Sequence, residues 1–407
     1  RNKVNLTHPI IIFPFFVVFS IIVPFSEFLF GWSNKFDSIG YGLRYISAQI
    51  ISEGGVAYII TNLYLIISSF FYFLGCFFAN KKKLIPNYID FIEVSKSKKS
   101  QIIHDKIFKL FFLIPLLIIP FLLMDFGKLG GYFTYIITTL IYFLPSLFVF
   151  ISIPNFVISF LTVTPFLFLT LSKGNVFYLF LWSAIPFDYL RTNFSVRLLL
   201  IISSFSFAIP LINSAINNRA ALGIEASTED TSFVYAFFYR EYGYDSLAGD
   251  IYNSLNNQKE KSVSYIASNI KELIPSSIHE SIFGETKMRM GNIVGYEVFK
   301  ENKASDSGVG FNRYFLLDFY HDFGFIGIPI ISFFYGWCFM FWYKKNISSY
   351  IKTLDRFYLM RYLSLCMNAH FLINGLLYYA VTTFVGMNVL IYFFQRGISL
   401  KFNNGKL

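Results

Sequence analysis

The chain has 407 residues, of which 55% are hydrophobic and only 14% charged, with 53 Phe and 28 Tyr. Soluble domains carry about 25% charged residues, and no water-facing surface hides such an aromatic load, so an ordinary soluble enzyme is excluded. The net charge of +10 reads as a topology signal in cytoplasmic loops rather than as nucleic-acid affinity, and no nucleic-acid partner is expected.

A membrane-crossing helix needs ~20 mostly apolar residues. In chain order such runs fall near 9–29, 57–79, 107–125, 132–153, 156–172, 175–190, 198–216, 323–343, 362–378 and 380–395. The expected fold is an all-α polytopic membrane protein with about ten transmembrane helices and a large external loop, part helical and part irregular. Residues 1–212 form an N-terminal membrane region, 213–313 the loop, and 314–407 a C-terminal membrane region. Asn374 and Gly375 interrupt the last apolar stretch, which also suits a re-entrant hairpin. No n-region, h-region and cleavage site is evident, so no signal peptide is expected.

Lys and Arg set the orientation. With the N-terminus inside, the inner segments collect twenty basic residues and the short outer loops only four, Lys35, Arg44, Lys128 and Lys173. That bias puts both termini in the cytoplasm and the long loop outside. The hydrophilic stretch 80–106, with its "NKKK" and "SKSKK", is then cytoplasmic. Cys76, Cys338 and Cys366 all lie in apolar runs and read as packing residues, without disulfide or zinc spacing.

The loop mixes ten basic and thirteen acidic residues. The segment 232–255 is aromatic on one side and polar on the other, as an amphipathic helix on a membrane surface would be. Within 262–274, Val263, Ile266, Ile270 and Leu273 recur at helical spacing. The Gly- and Ser-rich stretch 274–313 is expected to be irregular, with Gly291, Gly295, Gly308 and Gly310 permitting tight turns.

The sequence contains no phosphate loop, dinucleotide fingerprint, metalloprotease helix or nucleophile elbow. The five histidines are scattered, so neither a metal site nor a soluble cofactor is expected. Arginine is the residue type to weigh instead. Arg219, Arg240, Arg289 and Arg313 all fall in the loop, and Arg219 and Arg313 flank it near the outer membrane boundary. A guanidinium fork matches phosphate oxygens; snorkelling or pairing with nearby acids is the plainer alternative. In "FNRYFLLDFYHDFGFIGIP" (311–329), a helix would set His321 about 80° from Arg313 and Asp322 nearly opposite it. Asp318, His321 and Asp322 are costly at a membrane boundary unless paired or facing a wet cavity, which makes them functional candidates. Asp residues favouring a helix N-terminus are the competing reading.

The segment after the loop resembles that of the Wzy-type O-antigen polymerases, the family of oligosaccharide repeat-unit polymerases, and the related O-antigen ligases. The likeness lies in Arg313, ten intervening residues, Gly324, a further Gly327 and an acid at Asp322. The polytopic layout with a late external loop extends it over nearly the whole chain. Arg219 and Arg240 do not repeat the Arg-to-Gly spacing. The resemblance implies a metal-independent glycosyltransferase that joins polyprenyl-diphosphate-linked oligosaccharides at the periplasmic face of the bacterial inner membrane. It implies diphosphate binding by Arg313, Arg219, Arg240 and Arg289, a general base among His321, Asp322 and Asp318, and a chain-length regulator as a candidate partner. A lipid-linked oligosaccharide flippase and a ligase that transfers finished polymer are the alternatives.

Overall fold

A computed structural model describes residues 5–14, 17, 55–80, 141–143, 145–146, 153–170, 173–189, 195–196, 198–199, 201–203, 244–257, 263–274, 276–284, 293–294, 297–298, 313–353, 355–373, 375 and 377–403. The sequence-predicted run near 107–125 and, apart from Asn80, the basic stretch 80–106 lie outside them. Among the described residues all regular structure is helical. In chain order the helices are α1 (Gly55–Ala79), α2 (Ile153–Thr170), α3 (Lys173–Ala184), α4 (Tyr244–Leu255), α5 (Tyr265–Glu272), α6 (Ser276–Phe283), α7 (Phe315–Phe323), α8 (Gly327–Thr353), α9 (Arg356–Ile373) and α10 (Leu377–Asn403). Among the described residues two stretches are long and apolar enough to cross a membrane, Gly55–Ala79 and Phe315–Thr353. The second comprises α7 and α8, joined by the 3-10 turn Gly324–Ile326.

α1 and α8 form the spine. Their contacts rise together along both chains: Tyr64 meets Phe325, Ser68 bonds Ser332, the Cys76 thiol donates to the Gly336 carbonyl, and Lys344 donates to the Ala79 carbonyl. The two helices are therefore parallel. Small residues let the backbones touch. A Cβ on Gly75 would stand 2.1 Å from the Phe333 carbonyl oxygen, and one on Gly336 would stand 1.9 Å from that of Tyr72. α1 turns Thr61, Ser68 and Gly75 inward and leaves Ile59, Leu63, Ile66, Phe70 and Phe77 exposed. Small and polar residues inside with large apolar ones outside is the arrangement of helices that pack within lipid.

α7 folds back against the start of α8 instead of leading straight into it. The Phe315 ring stacks on Tyr335 at 5.4 Å, although Tyr335 lies eight residues beyond Gly327, about 12 Å down the helix at 1.5 Å per residue. Two glycines make the reversal. Gly324 has φ +61, and a Cβ on Gly327 would lie 2.1 Å from the Phe319 carbonyl oxygen. Arg313, just before α7, is thus at the inner end of a short reversed helix, about two turns below the top of α8. The sequence places it at the span's outer edge, because reading 311–329 as one continuous helix misses the bend.

The 362–378 and 380–395 runs are two helices, α9 and α10, joined around Gly375 at φ +62. At the opposite end of α9, Tyr362 donates to the Thr7 carbonyl, while the Thr7 amide and hydroxyl both donate to Asp188 at 3.0 Å. The N-terminal segment, the turn after α3 and the start of α9 therefore meet at one end, and the loop segments cover the other.

In the loop, α4 buries Leu247 and Ile251 in the main core. Its apolar side meets protein, so this half of 232–255 is not laid on a membrane surface; residues 232–243 lie outside the description. The Gly- and Ser-rich stretch includes the helix α6, ended by Gly284 at φ +67, because Ile278, Ile282 and Phe283 sit among good turn-formers at helical spacing. Gly291, Gly295, Gly308 and Gly310 lie outside the described residues.

Candidate functional site

The site is built where three loop segments close over α7. The Asn253 amide donates to the Val298 carbonyl at 2.9 Å, tying segment 293–298 to α4. The Tyr314 amide donates to the Ser246 hydroxyl at 3.3 Å, tying the start of α7 to α4. Tyr265, Ile293, Val294, Val298 and Leu317 form a small core of their own beneath α5.

Arg313 is 1% exposed. One terminal nitrogen donates to the Asn269 carbonyl oxygen at 2.7 Å and stands 3.5 Å from an Asp318 carboxylate oxygen. The other stands 3.6 Å from Glu272. The guanidinium Nε has no hydrogen-bond partner among the described residues. Asn269 bridges the pair, since its amide nitrogen donates to Asp318 at 2.6 Å. A Cβ on Gly375 would fall 3.0 Å from the Arg313 Cβ, so the turn between α9 and α10 forms the floor.

His321, two residues after Phe319 on the same helix, is 2% exposed. Its Nδ1 is 3.3 Å from Asp250 on α4 and its Nε2 is 3.5 Å from Glu297. The ring lies flat on Tyr265, with centroids 3.7 Å apart and planes 5° from parallel. Burial, with the Glu297 and Asp250 carboxylates close by, pushes the Tyr265 phenol well above its usual value, so the ring stacks as a neutral aromatic. The two carboxylates approach opposite imidazole nitrogens, which clamps the ring. Among the described residues no group of three or more His, Cys, Asp or Glu has a geometry that could hold a metal ion.

Asp322 points elsewhere. Its carboxylate accepts from the Ser264 hydroxyl at 2.7 Å and from the Tyr265 and Ile266 amides at 2.9 and 3.0 Å. Ser264 in turn accepts from the Ala267 amide. Together they satisfy the donors that a helix N-terminus leaves unpaired, and Asp322 thereby pins α5 to α7.

Of the sequence-predicted residues, the structure brings Arg313, Asp318 and His321 under one cover and gives Asp322 to a helix cap. Arg219, Arg240 and Arg289 lie outside the described residues. Sequence reasoning missed Asn269, Glu272, Tyr265, Asp250 and Glu297. The signal for the first three was present: Tyr265, Asn269 and Glu272 are spaced i, i+4, i+7 and share one face of α5. The apolar stripe on the other face concealed it, and that stripe points outward, with Val263 and Ile270 exposed. Comparison with known protein families, curated proteins and solved structures finds no match to this chain.

Proposed function

We propose that the protein is a glycosyltransferase of the bacterial inner membrane. It polymerises polyprenyl-diphosphate-linked oligosaccharide repeat units into a surface polysaccharide, such as O-antigen or capsule, at the periplasmic face. The observation that carries this reading is Arg313, a buried guanidinium with one short hydrogen bond, two long ion pairs and an unclaimed Nε donor, beside an acid and a histidine under the loop helices. A buried, under-used guanidinium is suited to a bidentate anion, and a lipid diphosphate is the anion that reaches a membrane-embedded site.

In the transfer, the bond between the donor sugar's anomeric carbon and its diphosphate oxygen breaks. A bond forms from that carbon to an acceptor hydroxyl oxygen on the next lipid-linked unit. Arg313 stabilises the charge growing on the leaving diphosphate. The acceptor proton passes to a base. His321 is the first candidate, because an imidazole can take up a proton and the Asp250 and Glu297 carboxylates flank its ring and hold it in place. Asp318 is the second, and Asp322 acts by holding α5. The proposed topology has about ten spans, cytoplasmic termini and a periplasmic loop. It is supported by the parallel course of α1 and α8, which the charge count assigns to two inward-running spans.

The test is polymerisation of a polyprenyl-diphosphate-linked repeat unit by the purified protein in detergent or vesicles, with a chelator present, read as a product ladder on a gel. A ladder that persists under chelation supports metal-independent polymerisation. Product limited to transfer of preformed polymer onto a lipid core, or movement of the lipid without bond formation, overturns it.

A further inference from the structure

Arg313 and Asp318 come from one short segment, carry opposite charges and are both buried. Such a pair normally closes to a charge-assisted bond of about 2.7–2.9 Å, yet the guanidinium stands 3.5 Å from the carboxylate. The short bonds go to a neutral group instead. The Asn269 carbonyl oxygen accepts from the Arg313 terminal nitrogen at 2.7 Å, and the Asn269 amide nitrogen donates to Asp318 at 2.6 Å. An amide is thus wedged between two opposite charges. The Nε donor of the guanidinium has no partner among the described residues.

The wedge comes from the cover and not from α7. Asp322 accepts from the Tyr265 and Ile266 amides, and Asn269 lies one turn further along α5. Tyr265 shares its face of the helix and stacks on His321. Docking of α5 therefore delivers two side chains at once, Tyr265 to the histidine and Asn269 to the arginine. A neutral oxygen suits the second place. It fixes one donor of the fork without cancelling the positive charge, whereas a carboxylate there would hold the arginine and also repel an incoming anion.

We propose that Asn269 is a positioning residue for Arg313: by accepting from the guanidinium and donating to Asp318, it keeps the acid from closing on the arginine, which stays available to the diphosphate of a lipid-linked substrate. This rests on the assignment of Arg313 to diphosphate binding. Without the amide, the two charged groups close on one another and the diphosphate must part them to bind. An affinity limited by the competent fraction falls with that fraction; a pair closed about nine times in ten gives about a tenfold loss.

The probe is undecaprenyl diphosphate titrated calorimetrically into the whole chain in detergent, across a double-mutant cycle. Asn269→Ala is expected to raise its Kd about tenfold, and Asp318→Asn alone to change it less than about threefold. Asn269→Ala combined with Asp318→Asn is expected to return the Kd to within about threefold of wild type. A merely structural Asn269 gives the opposite sign, because a second loss in one cluster weakens binding further. If wild type does not bind the probe, the assignment of Arg313 fails and the wedge with it. If wild type binds and Asn269→Ala binds equally, or if Asp318→Asn does not recover the loss, the positioning role fails and the Arg313 assignment stands. Should Asn269→Ala not fold, Asn269→Asp takes its place, since it keeps an oxygen for Arg313 but has no amide for Asp318. It is expected to bind the probe at least about tenfold more weakly; wild-type affinity in that variant overturns the role.

Discussion

At the residue scale, the chemistry turns on what Arg313 touches. A lysine there would keep the charge and lose the fork, so it could neither donate to Asn269 in the same way nor hold two phosphate oxygens at once. Arg313→Lys is expected to fold and to cut chain growth at least about tenfold, the loss of one bidentate contact, measured as repeat units added per minute. Arg313→Ala, checked for folding by size-exclusion profile, is expected to give no ladder. Asn269 is the residue on which both charges depend. Asn269→Ala removes the 2.7 and 2.6 Å bonds together and leaves a buried guanidinium and carboxylate short of a partner. The cost of such groups predicts about 1–3 kcal/mol of stability, read as a lowered midpoint in detergent thermal unfolding. Arg313, Asp318 and His321 were legible because ionisable groups beside an apolar run stand out by type. Asn269 was not, since an uncharged amide in a polar loop carries no such mark, and only the burial of its face on α5 reveals it.

At the element scale, α5 and α7 define one another. Asp322 separates two roles that sequence alone leaves merged, an acid that takes a proton and an acid that caps a helix. If it caps, the one amide oxygen of Asp322→Asn still accepts from the Ile266 amide and the Ser264 hydroxyl and loses only the Tyr265 amide, while Asp322→Ala leaves all three unpaired at about 1–2 kcal/mol. The expected order of polymerising activity is therefore wild type, then Asn, then Ala, with faster hydrogen exchange across α5 in the Ala variant. Equal and complete loss in both variants would make Asp322 the base instead. The glycines of the same motif act by shape. Gly324 holds a positive φ in open space and Gly327 a contact where no Cβ fits, so Gly324→Ala is expected to cost about 1–3 kcal/mol of strain and Gly327→Ala to prise α7 from α8. Helical spacing revealed that these helices exist, but not that one doubles back, because a reversal at φ +61 leaves the apolar content of 311–329 unchanged.

At the scale of the whole molecule, the spine sets which end of α8 the site lies at. Tyr64, Ser68, Cys76 and Ala79 meet Phe325, Ser332, Gly336 and Lys344 in the same order, so in the proposed topology α1 and α8 cross in the same sense whatever the total number of spans. The lysine-bearing part of α8, with Lys344, Lys345 and Lys352, starts beside the end of α1 at Ala79 and the meeting of Thr7, Asp188 and Tyr362, and the opposite ends carry the loop helices. In the proposed topology the distribution of basic residues puts the first end in the cytoplasm. Ser281 on α6 and Lys352 on α8 are both exposed and report on the two ends. In a background with Cys76, Cys338 and Cys366 replaced by Ala, Ser281→Cys is expected to react with a membrane-impermeant maleimide added to spheroplasts. Lys352→Cys is expected to react only after the membrane is opened. The reverse pattern would put Arg313 under a cytoplasmic cover, where a periplasmic polymerase could not use it. Labelling of both from one side would break the parallel spine itself, since α8 alone carries Lys352 from the loop-covered end to the other across about 40 Å of helix.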